Sequence, residues 1–351
     1  MKVLDTTLRD GSYAINFQFT ARDTAVIGGA LDKAGVELIE IGHGVGMRAS
    51  ELGLGQAAET DEAYLKAAAD SIKKAKFGMF CIPGIATLED IDRAADYKMG
   101  FIRIGTNVSE VGKSEKFIAR AKKHGMYVSS NFMKSYTMEP KKFAEQAKLS
   151  QQYGTDLLCV VDSAGGMLQG ELEQYFRAVQ AVCDVPLGFH GHDNLGLAVS
   201  NSLRAVELGA SVVDSSLQGM GRSAGNAATE NLVAALKRSG HDSGVDLLKL
   251  LDIGEKYIKP LIRRRGLGSL DVIAGYALFH SSYMGLIRKF SSKYRVDPRK
   301  LIIEVCAVDL VNPSAELVEN VAKKLPPEPD EVYTAKYDFD EYFGEEQLKK
   351  A

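Results

Sequence analysis

Eight short, β-rich apolar runs, separated by amphipathic helical stretches, constrain this 351-residue chain more than any other feature. They are Val3–Leu8, Val36–Ile41, Phe77–Ile82, Phe101–Gly105, Tyr127–Phe132, Asp156–Val161, Leu187–His192 and Ser211–Ser215. Each suits a strand buried on both faces. Helical patterns lie between them, among others at Ala21–Ala34, Ala63–Lys74, Ser114–Lys123, Pro140–Tyr153, Gly170–Val182 and Ala198–Leu208. Gly35, Gly100, Gly125, Gly154 and Gly209 fall between a helical stretch and the next run, where a left-handed residue closes a helix with least strain. Eight βα units can form an open doubly wound sheet or a closed barrel. No run leads into G-x-G-x-x-G, and polar residues gather at the ends of several runs. Both observations favour an α/β fold in the form of a (β/α)₈ barrel over residues 1–240.

After His241 the pattern is helical only. Val245–Leu261 and Leu270–Tyr294 read as amphipathic helices, giving a smaller all-helical C-terminal domain over 241–325. Residues 326–351 form an acidic, proline-containing tail, read as irregular and suited to docking. With 45% hydrophobic and 25% charged residues, the chain can bury a sizeable core. A net charge of −3, with only the short Ile262–Gly266 run rich in arginine, argues against nucleic-acid and anionic-membrane partners. No apolar stretch approaches the ~20 residues that span a bilayer. Cys81, Cys159, Cys183 and Cys306 are widely spaced and form no C-x-x-C pair, as expected of reduced thiols in a cytoplasmic protein. The N-terminal run enters a strand pattern with no signal-like segment, which fits the same expectation.

A barrel's chemistry sits at the C-terminal ends of its strands. Those ends carry Arg9 and Asp10, then Glu40 and His43, Asp162 and Ser163, His190 to Asn194, and finally Asp214 and Gly219–Asn226. In His190-Gly191-His192 the strand period of two points both imidazoles to one face. Asp10 is the best-placed carboxylate, because only one strand separates the first from the seventh. Two imidazoles and a carboxylate form an open site that accepts Mn²⁺, Co²⁺, Zn²⁺ or Fe²⁺.

The segments "VLDTTLRDG" (Val3–Gly11) and "HGHDNLGLA" (His190–Ala198) resemble those of the metal-dependent DRE-TIM lyases and synthases. From about Leu4 to Leu325 the chain is most similar to the 4-hydroxy-2-oxovalerate aldolases. "LIEIGHG" (Leu38–Gly44), "PGI" (Pro83–Ile85), "CVVDSAGG" (Cys159–Gly166) and Gly219–Asn226 match as well. The resemblance implies a metal on Asp10, His190 and His192, with Asn226 as a ligand directly or through water. It implies pyruvate chelated through its carboxylate and keto oxygens, with Arg9 stabilising the enolate and Ser163, Glu40 and His43 on the substrate side. A hard, bidentate oxo acid favours Mn²⁺, with Mg²⁺ or Co²⁺ as alternatives. The chemistry agrees: breaking a carbon–carbon bond beside a carbonyl leaves an enolate, which calls for a Lewis acid and a fixed cation. A Schiff-base lysine is the alternative electron sink. Lys134 is the nearest candidate, and it reads as a solvated loop residue.

Two departures stand out. The aldolases carry a catalytic His at the position of Tyr13 and a Tyr at that of His280, so the pair is exchanged here. His280 is then expected as the base and Tyr13 as its hydrogen-bonding partner. Val45 replaces an acidic loop residue, and Phe80, Phe279 and Met284 suggest a bulkier acceptor pocket. The partners implied are a 2-oxo acid and an aldehyde. An acylating aldehyde dehydrogenase docked on the C-terminal helices, and a homo-oligomer, are implied in addition. Two other readings stay open. One is a Claisen-type synthase or acyl-CoA lyase, against which Arg222-Ser223 stands where synthases carry Glu-Arg, and Gly219–Asn226 lacks the lyases' Cys. The other is a non-catalytic barrel that serves a dehydrogenase.

Overall fold

The structure is a computed structural model that describes residues 1–262 and 269–328. The arginines at 263–265 and the tail from 329 onward lie outside the described residues. Eight parallel strands close in sequence order, β1 returning to β8. They are β1 (Lys2–Leu8), β2 (Leu38–Ile41), β3 (Lys76–Cys81), β4 (Phe101–Asn107), β5 (Tyr127–Met133), β6 (Leu157–Asp162), β7 (Leu187–Gly191) and β8 (Val212–Ser215). Around them run α1 (Ala21–Lys33), α2 (Asp61–Ser71), α3 (Leu88–Asp96), α4 (Glu115–Lys123), α5 (Pro140–Gln152), α6 (Gln169–Gln180), α7 (Ala198–Glu207) and α8 (Thr229–Arg238). The chain is thus the expected barrel.

Period-two alternation explains the barrel's interior. Leu38, Phe101, Leu157 and Val212, on the even strands, join Leu4 in an apolar plug. Two residues further along the same strands stand Glu40, Arg103, Cys159 and Asp214. This next layer is ionic: Arg103 donates to Glu40 Oε2 at 2.8 Å and to Asp214 Oδ2. The apolar layer closes the barrel and the ionic layer carries the functional rim. All four cysteines are buried and free.

The helical C-terminal region contains α9 (Leu247–Ile253), α10 (Ser269–Tyr276), α11 (Met284–Tyr294), α12 (Pro298–Val308) and α13 (Ala315–Ala322). Leu270, Ala274, Phe279, Met284, Ile287 and their neighbours build a second core. Val245, Leu250, Ile253 and Ile258 instead belong to the core around the barrel. Among the described residues, no helix is long and apolar enough to cross a membrane.

Three local expectations are corrected. Helix α3 is followed by a left-handed Lys98 (φ 60°), with Gly100 outside that region. The stretch Val245–Leu261 is α9 followed by one π-helical turn, Gly254–Ile258. Leu270–Tyr294 is not one helix. Leu278 is left-handed (φ 55°) and His280 extended (φ −79°, ψ 126°), so the chain breaks between α10 and α11. The break frees the Ser282 N–H, which donates to His280 Nδ1 at 3.3 Å instead of continuing a helix.

Candidate active site and metal centre

At the end of β1 the Arg9 N–H turns back onto Thr6 O, and the pairing with β2 shifts between Asp5 and Leu8. Such an irregularity re-aims the side chains that follow. Asp10 then opens a 3₁₀ turn, Asp10–Ile15. His190 lies on β7, and His192 stands just past its end, bridged to Asn226. Ligand-capable atoms of Asp10, His190 and His192 lie within 4.8 Å of one another, all three residues buried.

Each imidazole is oriented through Nδ1. His190 Nδ1 is 3.0 Å from Asp214 Oδ2, and His192 Nδ1 is 3.1 Å from Gly225 O. An imidazole held through one nitrogen presents the other to a metal, so both Nε2 atoms are the candidate ligands. Burial pushes His192 down to about 4, which keeps it neutral and able to coordinate. Burial alone would raise Asp10, yet Arg9 and the two histidines hold it well below the usual carboxylate range. Asn226 donates to Asp10 Oδ1 (3.1 Å) and Met220 O (3.0 Å), while its buried Oδ1 has no hydrogen-bond partner among the described residues. An unsatisfied buried acceptor costs about 1–3 kcal/mol. A cation beside Asp10 would satisfy it, so the donor set fits a divalent metal.

Arg9 is fixed from several directions. It donates to Glu40 Oε2 (2.8 Å), Asp10 Oδ2 (2.5 Å) and Gly44 O (3.3 Å), and its guanidinium lies 4.7 Å from the Phe80 ring centre. The cleft is lined by Arg9, Asp10, Tyr13, Ser163, His190, His192, Arg222 and His280. Val45, Phe80, Ile82, Met133 and Val161 supply its apolar lining. The structure therefore brings Tyr13 and His280 into one cleft with the metal residues. His280 Nδ1 lies 2.6 Å from Ser282 Oγ. Burial, then the charges of Arg222, Lys134 and His192, keep the imidazole well below its ordinary pKa and neutral.

Other expected residues stand elsewhere. Glu40 lies behind Arg9, shared with Arg103, and does not line the cleft. His43 is turned away from it. Its Nδ1 accepts from Val45 N (3.1 Å), its Nε2 meets Gly55 O (3.0 Å), and its ring stacks on Phe17. It organises the loop after β2. Phe279 and Met284 sit in the second core. Lys134 is buried rather than solvated, its Nζ donating to Tyr283 OH (3.0 Å) and Val311 O (2.7 Å). Burial brings it down to about 8, but it is spent on joining the barrel to the C-terminal region. Ser163 Oγ accepts the Lys134 N–H at 3.0 Å.

Arg222 and Arg103 were not singled out from the sequence as site residues. The backbone N–H of Arg222 donates to Asp10 Oδ1 (3.1 Å), its Nε donates to Ser281 Oγ, and its guanidinium lies 5.3 Å from the Tyr13 ring centre. An arginine inside the glycine-rich "GMGRSAGN" run was the available signal.

The profile of the HMGL-like family matches residues 1–256. The 4-hydroxy-2-oxovalerate aldolase of Moorella thermoacetica is 40% identical over 324 residues, covering 92% of this chain and 96% of that protein. The enzyme of the same name from Pelotomaculum thermopropionicum is 40% identical over 326 residues, covering 93% and 96%. Among solved structures, the carboxyl transferase domain of Rhizobium etli pyruvate carboxylase superposes with a TM-score of 0.76 at 16% identity. It covers 93% of this chain and 61% of that one. The HMG-CoA lyase of Brucella melitensis gives 0.65 at 18% identity, covering 75% and 99%. These two likenesses concern the fold alone. With the family profile over most of the chain, and relatives at this identity over nearly its whole length, the chain belongs to the HMGL-like family, among its aldolases.

Proposed function

We propose that this aldolase cleaves, or in reverse forms, a 4-hydroxy-2-oxo acid, with pyruvate as the 2-oxo acid and an aldehyde as the partner. The observation that carries the reading is the pairing of one fixed cation with one metal site. Arg9 touches Asp10, the carboxylate shared with His190 and His192. Asp10, His190 and His192 would hold the metal, Mn²⁺ by the hardness of an oxo-acid ligand, with Asn226 Oδ1 as a further ligand. When bound, the metal acts as a Lewis acid on the oxo-acid carbonyl. Arg9 places its charge where the enolate oxygen develops. Ser163, on the cleft wall, is positioned to orient the oxo acid.

In the cleavage direction the C4 hydroxyl loses its proton, the C3–C4 bond breaks and C4 leaves as the aldehyde. The electron pair stays on the pyruvate fragment as its enolate, which is then protonated at C3. His280 would take the hydroxyl proton on its imidazole, with Ser282 Oγ 2.6 Å from Nδ1 steadying the ring. Tyr13 would hydrogen-bond the same hydroxyl. The C-terminal helices would dock an acylating aldehyde dehydrogenase, and the protein would act as a cytoplasmic homo-oligomer; exposed Val272 and Tyr276 on α10 suit such contacts.

The test is pyruvate release from 4-hydroxy-2-oxo acids of increasing chain length, with and without Mn²⁺. Release that depends on Mn²⁺ and is lost on chelation is expected; no pyruvate from any substrate would refute the assignment. His280→Ala should lower kcat at least about 100-fold. A turnover number near wild type would remove its role as base.

A further inference from the structure

We propose that Lys134 is a positioning residue for the proton-transfer step, holding the His280 turn in the cleft through the Tyr283 hydroxyl. This deepens the aldolase reading and rests on it, with His280 as the base. Lys134 stands just past β5 in the left-handed region (φ 57°, ψ 41°), which a non-glycine residue keeps only where its surroundings impose it. Its main chain is tied at both ends: the N–H donates to Ser163 Oγ at 3.0 Å, and the carbonyl accepts from Thr137 N (3.0 Å) and Thr137 Oγ1 (2.8 Å). The side chain leaves the barrel instead of lining the cleft. Its Nζ donates to Tyr283 OH (3.0 Å) and Val311 O (2.7 Å) and lies 4.9 Å from the Tyr283 ring centre. That hydroxyl also meets Val311 O and Asn312 Oδ1, each at 3.0 Å. The turn beneath it is fixed in its own right, because Asp309 Oδ1 accepts the N–H groups of Val311 and Asn312.

Tyr283 closes the turn that His280 opens. Its N–H donates to His280 O at 3.2 Å, and Ser282 between them meets His280 Nδ1 through both its N–H and its hydroxyl. A shift of the Tyr283 ring is therefore passed to the imidazole. Stability does not account for the lysine. It is 6% exposed, and its ammonium bonds a hydroxyl and a carbonyl, with no ion pair among the described residues. Burial works against its charge first, and Arg222 opposes that charge more than Asp309 and Glu110 favour it. An apolar side chain of the same length would fill this space at less cost. What the lysine supplies is a fixed place for Tyr283. Its two arms also have separate duties. The main-chain bond to Ser163, on the oxo-acid side of the cleft, survives a change of side chain, whereas the bond to Tyr283 does not. Loss of the side chain should thus reach the base and spare the oxo acid.

The experiment is steady-state cleavage by the Mn²⁺-loaded protein, using the 4-hydroxy-2-oxo acid that the wild type turns over fastest. Lys134→Met should lower kcat about tenfold, the cost of misplacing a reacting group. KM and Mn²⁺ affinity should stay within about twofold of wild type, and the melting temperature should not fall. Tyr283→Phe removes only the hydroxyl and should lower kcat to a similar extent; it carries the test even if Lys134→Met does not fold. The double variant should lose little beyond either single one, because both break the same link. Lys134→Arg, which keeps the charge and the donors, should recover part of the loss. In a His280→Ala background, Lys134→Met should lower kcat no further. A wild-type kcat in Lys134→Met or Tyr283→Phe would overturn the proposal. So would a loss confined to KM, or an equal loss in the His280→Ala background. With an active wild type, these results remove only this inference. No pyruvate from the wild type removes the aldolase reading, and this inference with it.

Discussion

Arg103 forms the floor of the cleft, 1% exposed, and joins two arms of the site. Through Glu40 it supports Arg9; through Asp214 it supports His190. Asp10, Arg9, Glu40, Arg103 and Asp214 thus alternate in charge, and with His190 bonded to Asp214 the chain runs from one candidate metal ligand to another. Removing Arg103 leaves two buried carboxylates without their shared cation. Arg103→Met is expected to cost about 3–5 kcal/mol of stability in urea denaturation. It should also weaken Mn²⁺ binding by about 10- to 100-fold in titration calorimetry, because the partner that orients His190 is no longer held. Arg103→Lys, which keeps the charge but not the two-sided reach, should fall between. Wild-type Mn²⁺ affinity in a folded Arg103→Met protein would refute the coupling. Asp10, His190 and His192 were legible in the sequence because they stand at strand ends, the His-x-His spacing points both imidazoles to one face, and the DTTLRDG segment stands beside it. Arg103 was not. In "FIRIGTN" its side of the strand becomes apparent only once Phe101 is seen to point into the barrel.

Strands were the most legible elements. Their observed bounds lie within two residues of the expected ones, because a strand buried on both faces reads as a largely apolar run even where single polar residues such as Glu40 or Arg103 interrupt it. Contacts between strands were not legible. Gly105 on β4 lacks a side chain where the Phe80 ring of β3 lies; an added Cβ would stand 2.3 Å from Phe80 Cζ. That ring in turn packs 4.7 Å from the Arg9 guanidinium. Gly105→Ala should push Phe80 against Arg9, cost about 1–3 kcal/mol by overpacking, and raise KM for the oxo acid about tenfold. Steady-state kinetics with thermal unfolding would check this, and an unchanged KM would show that Phe80 has room to yield. The break between α10 and α11 was hidden for a different reason. The apolar spacing from Leu270 to Tyr294 fits one helix, but Leu278 turns left-handed and the apolar side chains on both sides share the second core all the same.

At the scale of the whole molecule, the barrel carries Asp10, His190 and His192 and the C-terminal region places His280 in the same cleft, so the proposed catalysis would depend on how the two are docked. The sequence indicated a barrel followed by helices, but not that the helices complete the cleft, since docking is a property of surfaces far apart in the chain. Lys134 bonds Tyr283 and Val311, Asn194 donates to Asp271 O at 3.1 Å, and Arg222 donates to Ser281. At one point backbone lies against backbone. An added Cβ at Gly166, in the loop after β6, would lie 2.1 Å from Gly275 O on α10. Neither main chain can yield that distance locally, so Gly166→Ala should displace α10 and the His280 segment that follows. Asp10, His190 and His192 all belong to the barrel. Mn²⁺ affinity should therefore stay within about twofold of wild type, while kcat falls at least about tenfold, the cost of misplacing a reacting group. Hydrogen exchange should rise in α10 and in residues 277–283, with the barrel strands still protected. An unchanged kcat would mean that the base comes from the barrel alone. An equal loss of Mn²⁺ affinity would mean that the metal site and the docked helices form one cooperative unit.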